Sequence, residues 1–150
     1  MGTGAPAVPT LEVRRTVRAP RQRVFDAWTK AEEIKKFHAP GPLTCTLAQI
    51  DLRTGGKYRI EMTEPDGKVH GVYGVYREID PPRKVVYTWS HDGDHVVKDS
   101  LITLEFLERG DSTEVVLTHA ISHDKERASH TQGWTSILDK LQAAFAGSDR

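Results

Sequence analysis

The chain contains 150 residues, the length of one ordinary domain, and its 21 Lys and Arg residues are balanced by 21 Asp and Glu residues. The resulting net charge of zero argues against a nucleic-acid-binding domain, which is usually strongly basic. Charged residues make up 28% and hydrophobic residues 37% of the chain, which excludes a disordered protein. The single cysteine, Cys45, excludes an internal disulfide and a multi-cysteine metal site.

The N-terminal residues 1–9 are rich in Gly, Pro and Ala, and we expect a flexible arm there, followed by a single domain over residues 10–147. This segment lacks the basic and apolar regions of a signal peptide. No stretch reaches the roughly 18 apolar residues of a membrane-spanning helix. Together with the single cysteine, these features predict a cytoplasmic protein.

The first elements in chain order are one strand and two short helices. Alternating apolar residues predict a strand over residues 11–18. Apolar residues at helical spacing predict a helix over residues 21–29, and a second short helix follows over residues 31–37. Residues 38–42 contain two prolines and predict a rigid loop, because proline is excluded from a helix interior.

Six further strands follow, each with apolar residues at every second position and with Gly, Pro or Asp in the intervening turns. Strands that are consecutive in sequence and joined by short turns predict an antiparallel meander. The predicted strands lie around residues 44–52, 58–62, 69–79, 85–89, 102–106 and 115–119.

The apolar period becomes helical between residues 124 and 145, and Ser122 is the predicted N-cap. A sheet of seven strands is roughly 29 Å wide, whereas a helix is only about 10–12 Å wide. One helix cannot cover a flat sheet of that width, so we expect the sheet to curl around the helix and to enclose a cavity. The inward face of the predicted helix carries Trp134, Leu138, Leu141 and Phe145.

Short segments along the chain match a known family in their order and spacing. They are Ala19-Pro20, Val24-Phe25-Asp26-Ala27-Trp28-Thr29, DLRTGGKYR at 51–59, Asp66-Gly67, GVYREIDPP at 74–82, Val86-Tyr87-Thr88-Trp89, and His130-Thr131-Gln132-Gly133-Trp134. Over about residues 11–146 the chain therefore resembles the stand-alone homologues of the activator of heat-shock protein 90 ATPase, a branch of the SRPBCC (START-like) superfamily.

This resemblance implies an α+β helix-grip fold, in which a curved seven-stranded antiparallel sheet grips the C-terminal helix around a hydrophobic cavity. Two short helices follow the first strand. Members of the superfamily bind lipids, hormones or polyketides, and some are enzymes. Many relatives have Trp-Trp-Gly-Pro near the cavity mouth where this chain has Phe37-His38-Ala39-Pro40, so their ligand preference does not carry over.

A cavity of this kind would be lined by aromatic and apolar residues that strand parity or helix period directs inward, and ordinary core packing is the alternative for each of them. Tyr58 and Trp89 are favoured because each ring has a polar tip that can orient a ligand. The predicted ligand-binding residues are Trp28, Phe37, Tyr58, Met62, Tyr73, Trp89, Phe106, His119, His130, Trp134 and Leu138.

Three polar residues have inward parity or lie on the inward helix stripe. His119 and His130 either serve a ligand, as hydrogen-bonding or acid–base groups, or are hydrogen-bonded core residues. Arg15 either pairs with a ligand anion or with a carboxylate, for which Asp51 and Glu105 are the candidates, or extends its charged head to water.

We predict no bound metal and no cofactor. Residues 91–95, with the sequence HDGDH, offer two imidazoles and two carboxylates, but a catalytic zinc site needs three fixed protein ligands. A solvated turn at Gly93 is the predicted structure. The basic run between Arg14 and Arg23 is either a docking surface for an acidic partner or a solvated face, and in the absence of a nucleic-acid-binding motif we predict the solvated face.

Three functions remain open from the sequence. The first is binding of a small, largely apolar molecule without chemistry, and the second is an enzyme of cyclase or hydrolase type that uses cavity His or Arg residues. A pair of coupled titratable groups in the cavity would favour the enzyme. The third is a chaperone partner, although a second domain to clamp a large client is lacking. An incompletely covered sheet would also offer apolar surface for a homodimer.

Overall fold

The computed structural model describes residues 8–146, so residues 1–7 of the predicted arm and residue 147 of the predicted domain lie outside the described part of the chain. A strand and two short helices come first, six strands follow, and a long helix ends the fold. The elements are β1 (Thr10–Val17), α1 (Arg21–Thr29), α2 (Ala31–Ile34), β2 (Thr44–Ile50), β3 (Lys57–Thr63), β4 (Val69–Asp80), β5 (Lys84–His91), β6 (Ser100–Arg109), β7 (Ser112–Ala120) and α3 (Asp124–Ala144).

The seven strands form one sheet in the order β1-β7-β6-β5-β4-β3-β2, with every neighbouring pair antiparallel. Strands β2 to β7 are a simple meander, whereas β1 crosses to the far edge and pairs with β7, so that Thr10 faces Ala120. The sheet curves into a half-barrel against α3. The predicted α+β helix-grip fold is confirmed.

Alternation along the strands produces the concave apolar face. In β6, Ile102, Leu104 and Phe106 are fully buried, while the intervening residues are more exposed. Burial of each such side chain stabilises the fold by roughly 1.5–3 kcal/mol. Helix α3 covers this face with its own apolar stripe, which consists of Trp134, Ile137, Leu138 and Leu141.

The curved sheet is wider than α3 and leaves space on its concave face. Side chains from the two short helices and from the turn after α2 occupy much of this space. The ring of Phe25 in α1 packs edge-on against Phe106, with centroids 5.4 Å apart. Trp28 packs against Phe37 and donates a hydrogen bond from Nε1 to the Tyr87 hydroxyl at 3.0 Å. The expected cavity is therefore reduced to a pocket, because these side chains occupy space that the C-terminal helix alone would leave open.

Two predicted helix ends differ from the structure. Helix α2 ends at Ile34 and is followed by a turn, so it is shorter than the predicted range of 31–37. The N-cap of α3 is His123, whose Nδ1 accepts a hydrogen bond from the backbone N–H of Glu126 at 3.4 Å. Ser122 was the residue expected there, and an imidazole nitrogen supplies the acceptor instead.

Arg15 lies on the β1 face that meets α3. Its Nε donates a hydrogen bond to Oδ1 of Asp139 at 2.7 Å. The predicted partners Asp51 and Glu105 were wrong, because α3 brings its own carboxylate to this position. Both side chains are partly exposed, so the ion pair contributes little to stability.

Candidate functional site

A partly open pocket of about 250 Å³ lies between α3 and the strands β3, β4 and β5. The loop after α2 closes one side of it through Pro40 and Leu43. Its walls combine apolar side chains with a rim of imidazoles. The lining residues are Pro40, Leu43, Met62, His70, Trp89, His91, His95, Glu126, Ser129, His130, Gly133, Trp134 and Ile137.

Four of the predicted ligand-binding residues line this pocket, namely Met62, Trp89, His130 and Trp134. Their strand parity or helix period places them there. The rings of Trp89 and Trp134 pack together with centroids 4.9 Å apart and form the apolar back wall. The predicted residues that are buried without lining this pocket are Trp28, Phe37, Tyr58, Phe106, His119 and Leu138.

The expectation that Tyr73 faces the cavity was wrong. In β4 the inward positions are Val72, Gly74 and Tyr76, so the opposite parity directs Tyr73 to the outer face, where 39% of it is exposed. The sequence allowed either parity, because both faces of this strand carry apolar or aromatic residues.

Tyr58 is part of a buried tyrosine cluster rather than a pocket wall. Its ring packs against Tyr76 and Tyr87, and its hydroxyl donates to the carbonyl oxygen of Thr88 at 2.5 Å. Burial raises the pKa of Tyr58 well above its ordinary value, so the hydroxyl keeps its proton.

We expect the Tyr58→Phe substitution to lower the free energy of unfolding by about 1 kcal/mol, because the Thr88 carbonyl loses its buried hydrogen bond from Tyr58. Urea denaturation monitored by fluorescence measures this loss. Tyr73→Phe is the matched control, since the exposed Tyr73 hydroxyl supports no buried bond. Equal stability changes in the two variants would contradict the assignment.

His119 is a fully hydrogen-bonded core residue behind the pocket wall. Its Nδ1 accepts from Trp134 Nε1 at 3.0 Å, and its Nε2 therefore carries the proton that reaches Ser100 Oγ at 2.8 Å. The Ser100 hydroxyl in turn donates to the carbonyl oxygen of Trp89 at 2.6 Å. Burial lowers the pKa of His119 to about 2, so its ring is neutral and locks the orientation of Trp134.

His38 is fully buried, and neither of its ring nitrogens has a hydrogen-bond partner among the described residues. Burial lowers its pKa to about 4, so the ring is neutral at pH 7. His38 belongs to the segment Phe37-His38-Ala39-Pro40, where many relatives have Trp-Trp-Gly-Pro. The rings packed around it are Trp28, Phe37, Trp89 and Trp134.

Histidines that the sequence reasoning did not select form the polar rim of the pocket. His91, His95 and His70 line it together with His130 and Glu126. The prediction of a solvated turn over residues 91–95 was wrong for its two histidines, because His91 ends β5 and points toward α3, and His95 stacks on it with ring centroids 4.1 Å apart. The regular alternation of β5, extended by two residues beyond Trp89, is the signal that identifies His91.

His91 and His130 meet across the pocket wall. Their Nε2 atoms are 2.8 Å apart, and Trp89 Nε1 donates to the same Nε2 of His91 at 3.2 Å. His130 Nδ1 lies 2.7 Å from the carbonyl oxygen of Glu126. Burial, followed by the neighbouring imidazoles, lowers the pKa of His91 to about 3. Burial also lowers the pKa of His130, although the Glu126 carbonyl and carboxylate oppose this effect.

Within residues 8–146, no three His, Cys, Asp or Glu side chains converge at a spacing that would hold a metal ion. The absence of a bound metal or cofactor stays a prediction. None of the described helices is long and apolar enough to cross a membrane.

The sequence matches, over residues 18–146, the family described as Activator of Hsp90 ATPase homolog 1-like protein. This match spans most of the curved sheet, its two short helices and α3. The chain belongs to this family. The resemblance of its motifs is thereby confirmed. No functionally curated protein matches the chain.

Solved structures share the fold of this family member. A Chromobacterium violaceum protein is 24% identical with a TM-score of 0.83, covering 91% of this chain and 96% of its own. The AHSA1 protein of Silicibacter pomeroyi is 23% identical with a TM-score of 0.79, covering 92% and 98%. A Rhizobium leguminosarum protein is 27% identical with a TM-score of 0.74, covering 90% and 92%. These similarities establish the helix-grip fold and leave the ligand to be argued from the pocket.

Proposed function

We propose that this protein binds a small, largely apolar molecule in the pocket between the curved sheet and α3. The apolar walls supplied by Met62, Trp89, Trp134 and Ile137 favour such a molecule, and the imidazole rim supplies a few polar groups that can orient it. A volume of about 250 Å³ suits a compound with a single ring or a short chain.

Gly133 is the observation that carries this proposal. It lies inside the 21-residue helix α3 and lines the pocket. Glycine in a helix interior is less stable than alanine by about 1 kcal/mol. A Cβ at this position would meet only Pro40 Cβ, at 3.8 Å, so close packing does not require glycine. Glycine here supports the proposal, because a side chain longer than that of alanine would extend toward Pro40 and narrow the pocket.

We expect Gly133→Ala to raise the free energy of unfolding by about 0.5–1 kcal/mol and to keep ligand binding, since one methyl group fits. Gly133→Leu should also fold, but its side chain should fill the pocket. The measurement is a melting-temperature screen of small aromatic and aliphatic compounds, with hydrocinnamyl alcohol as the reference. Compounds that stabilise the natural chain should stabilise the Ala variant and lose their effect on the Leu variant. Equal shifts in all three proteins would place binding elsewhere.

An enzyme of cyclase or hydrolase type is the second candidate, and one observation favours it. His91 and His130 are a pair of coupled titratable groups in the pocket, the arrangement that separates a catalytic cavity from a plain binding cavity. Turnover of a cyclisable or hydrolysable compound by the natural chain would support this function, provided that the Gly133→Leu variant shows no turnover. The chaperone-partner hypothesis and the homodimer stay predictions.

A further inference from the structure

The histidine pair formed by His91 and His130 has more hydrogen-bond acceptors than donors. His130 Nδ1 faces the carbonyl oxygen of Glu126 at 2.7 Å and therefore carries a proton, because a carbonyl can only accept. In the neutral ring, Nε2 of His130 then has a lone pair, and this atom lies 2.8 Å from Nε2 of His91.

Either protonation of His91 leaves one lone pair of the histidine pair unfilled. If Nε2 of His91 accepts the N–H of Trp89 at 3.2 Å, no N–H or O–H group of the described residues donates to His130 Nε2. If Nε2 of His91 instead carries the proton and donates to His130, the lone pair moves to its Nδ1, which also receives no donor from the described residues. Solvent or a ligand must therefore supply the missing donor.

The other imidazole N–H groups at the rim already face acceptors of the protein. Nδ1 of His95 accepts a backbone N–H at 3.0 Å, so in the neutral ring its Nε2 carries the proton, and this N–H faces Glu126. Nε2 of His70 bonds to the carboxylate of Glu64. The pocket therefore suits a ligand that donates hydrogen bonds.

The carboxylate of Glu126 lacks a short hydrogen bond to the described residues. Its Oε1 lies 3.5 Å from His95 Nε2 and 3.6 Å from His130 Nδ1. A charge-assisted hydrogen bond is usually only about 2.7–2.9 Å long. Because this side chain lines the pocket and is 26% exposed, a donor on a ligand can reach it.

The described lining residues supply no fixed cation for this carboxylate, since they include one Glu and neither Lys nor Arg. Lys98 lies outside the pocket, where its Nζ bonds to the carbonyl oxygen of Gly93 at 2.8 Å and lies over the ring of the outward-facing Tyr73. A proton on the histidine pair would balance Glu126. Burial lowers the pKa of both rings, however, so the pair is neutral at pH 7 and the carboxylate keeps an unbalanced charge.

Building on the proposed function, on which this inference rests, we propose that the pocket takes a small apolar primary amine in its ammonium form. Its N–H groups bond to the Glu126 carboxylate and to the unfilled lone pair of the histidine pair, both of which the ring of His130 contacts. The apolar part lies against Trp89 and Trp134, whose indole rings also attract a nearby cation.

Donor count and charge rank three ligands that share one phenylpropyl skeleton. An ammonium group offers three donors and a positive charge, whereas an alcohol offers one donor and no charge. A carboxylate offers no donor and is repelled by Glu126.

Isothermal titration calorimetry at pH 7 with 3-phenylpropylamine, hydrocinnamyl alcohol and hydrocinnamate tests this ranking. We expect the amine to bind roughly tenfold more tightly than the alcohol, and the acid to bind at least about tenfold more weakly than the alcohol. In Glu126→Gln, the preference for the amine over the alcohol should fall to about twofold or less, because the amide has no charge.

Asp124→Asn is the matched control. It removes a carboxylate from the same first turn of α3, but this side chain is 88% exposed and does not line the pocket. The control should keep the full preference for the amine. Circular dichroism melting curves establish that both variants fold, and the ranking of the three ligands on the natural chain decides the inference if Glu126→Gln does not fold.

The failure of this inference is distinguishable from the failure of the proposed function. Equal affinities for amine and alcohol, tighter binding of the acid, or an undiminished amine preference in a folded Glu126→Gln variant would overturn the amine assignment and leave the binding pocket standing. Binding of none of the three compounds would count against both.

Discussion

Replacing Trp134 with alanine should destabilise the protein by at least about 4 kcal/mol. Removal of a buried aromatic side chain costs about 3–5 kcal/mol through lost contacts and the remaining cavity. Trp134 is 2% exposed and contacts Trp28, His38, Trp89 and His119. Its loss also leaves Nδ1 of His119 without a donor in the core, which adds about 1–3 kcal/mol.

Trp134→Phe separates the two contributions. The phenyl ring keeps most of the apolar volume but has no N–H, so this variant should lose about 1–3 kcal/mol. Guanidinium denaturation followed by circular dichroism measures both variants. An alanine variant as stable as the natural chain would contradict the placement of Trp134, and a phenylalanine variant as stable as the natural chain would contradict the role of its hydrogen bond.

Acid should destabilise the fold strongly through its buried neutral histidines. His38 and His119 have folded-state pKa values of about 4 and about 2, below the value of about 6.5 for an unfolded histidine. The unfolded chain therefore binds more protons than the folded one as the pH falls below 6.5. Stability is fully present above that pH and is lost below it, by about 2 kcal/mol per histidine between pH 7 and pH 5.

His38→Leu tests this effect, because it removes a titrating group whose nitrogens have no described partner. We expect no loss of stability at pH 7 and a gain of about 2 kcal/mol over the natural chain at pH 5. Urea denaturation at pH 5, 6, 7 and 8 gives the curves, and His123→Asn is the control at an exposed histidine. An unchanged acid slope in His38→Leu would show that His38 is accessible to protons in the folded state.

The sequence predicted the sheet and the long helix because their signals are local and periodic. Alternation in β3, β6 and β7 identified the inward rows that include Met62, Phe106 and His119, and the helical period identified Trp134. Tyr73 was misplaced because apolar residues occupy both parities of β4, so the pattern itself does not select a face.

The pocket was harder to predict because its limits depend on contacts between distant segments. Two side chains that fill the concavity, Trp28 of α1 and Phe37 of the turn after α2, come from segments whose position above the sheet has no periodic signal. His91 and His130 are 39 residues apart, and only their Nε2 separation of 2.8 Å in the folded chain makes them a pair. A site formed by residues from two distant segments cannot be predicted from the residue spacing within one helix or strand.

The position of β1 has a consequence for how the chain acquires its structure. Strands β2 to β7 can pair in sequence order through successive hairpins, each of which closes a short loop. Strand β1 pairs only with β7, where Thr10 faces Ala120, a residue 110 positions later in the chain. During synthesis β1, the first of the seven strands of this sheet, is thus among the last to be paired, and the apolar side chains of Leu11, Val13 and Val17 stay exposed until then. The rate of folding should accordingly be governed by closure of this long loop, and aggregation of incomplete chains should originate at β1.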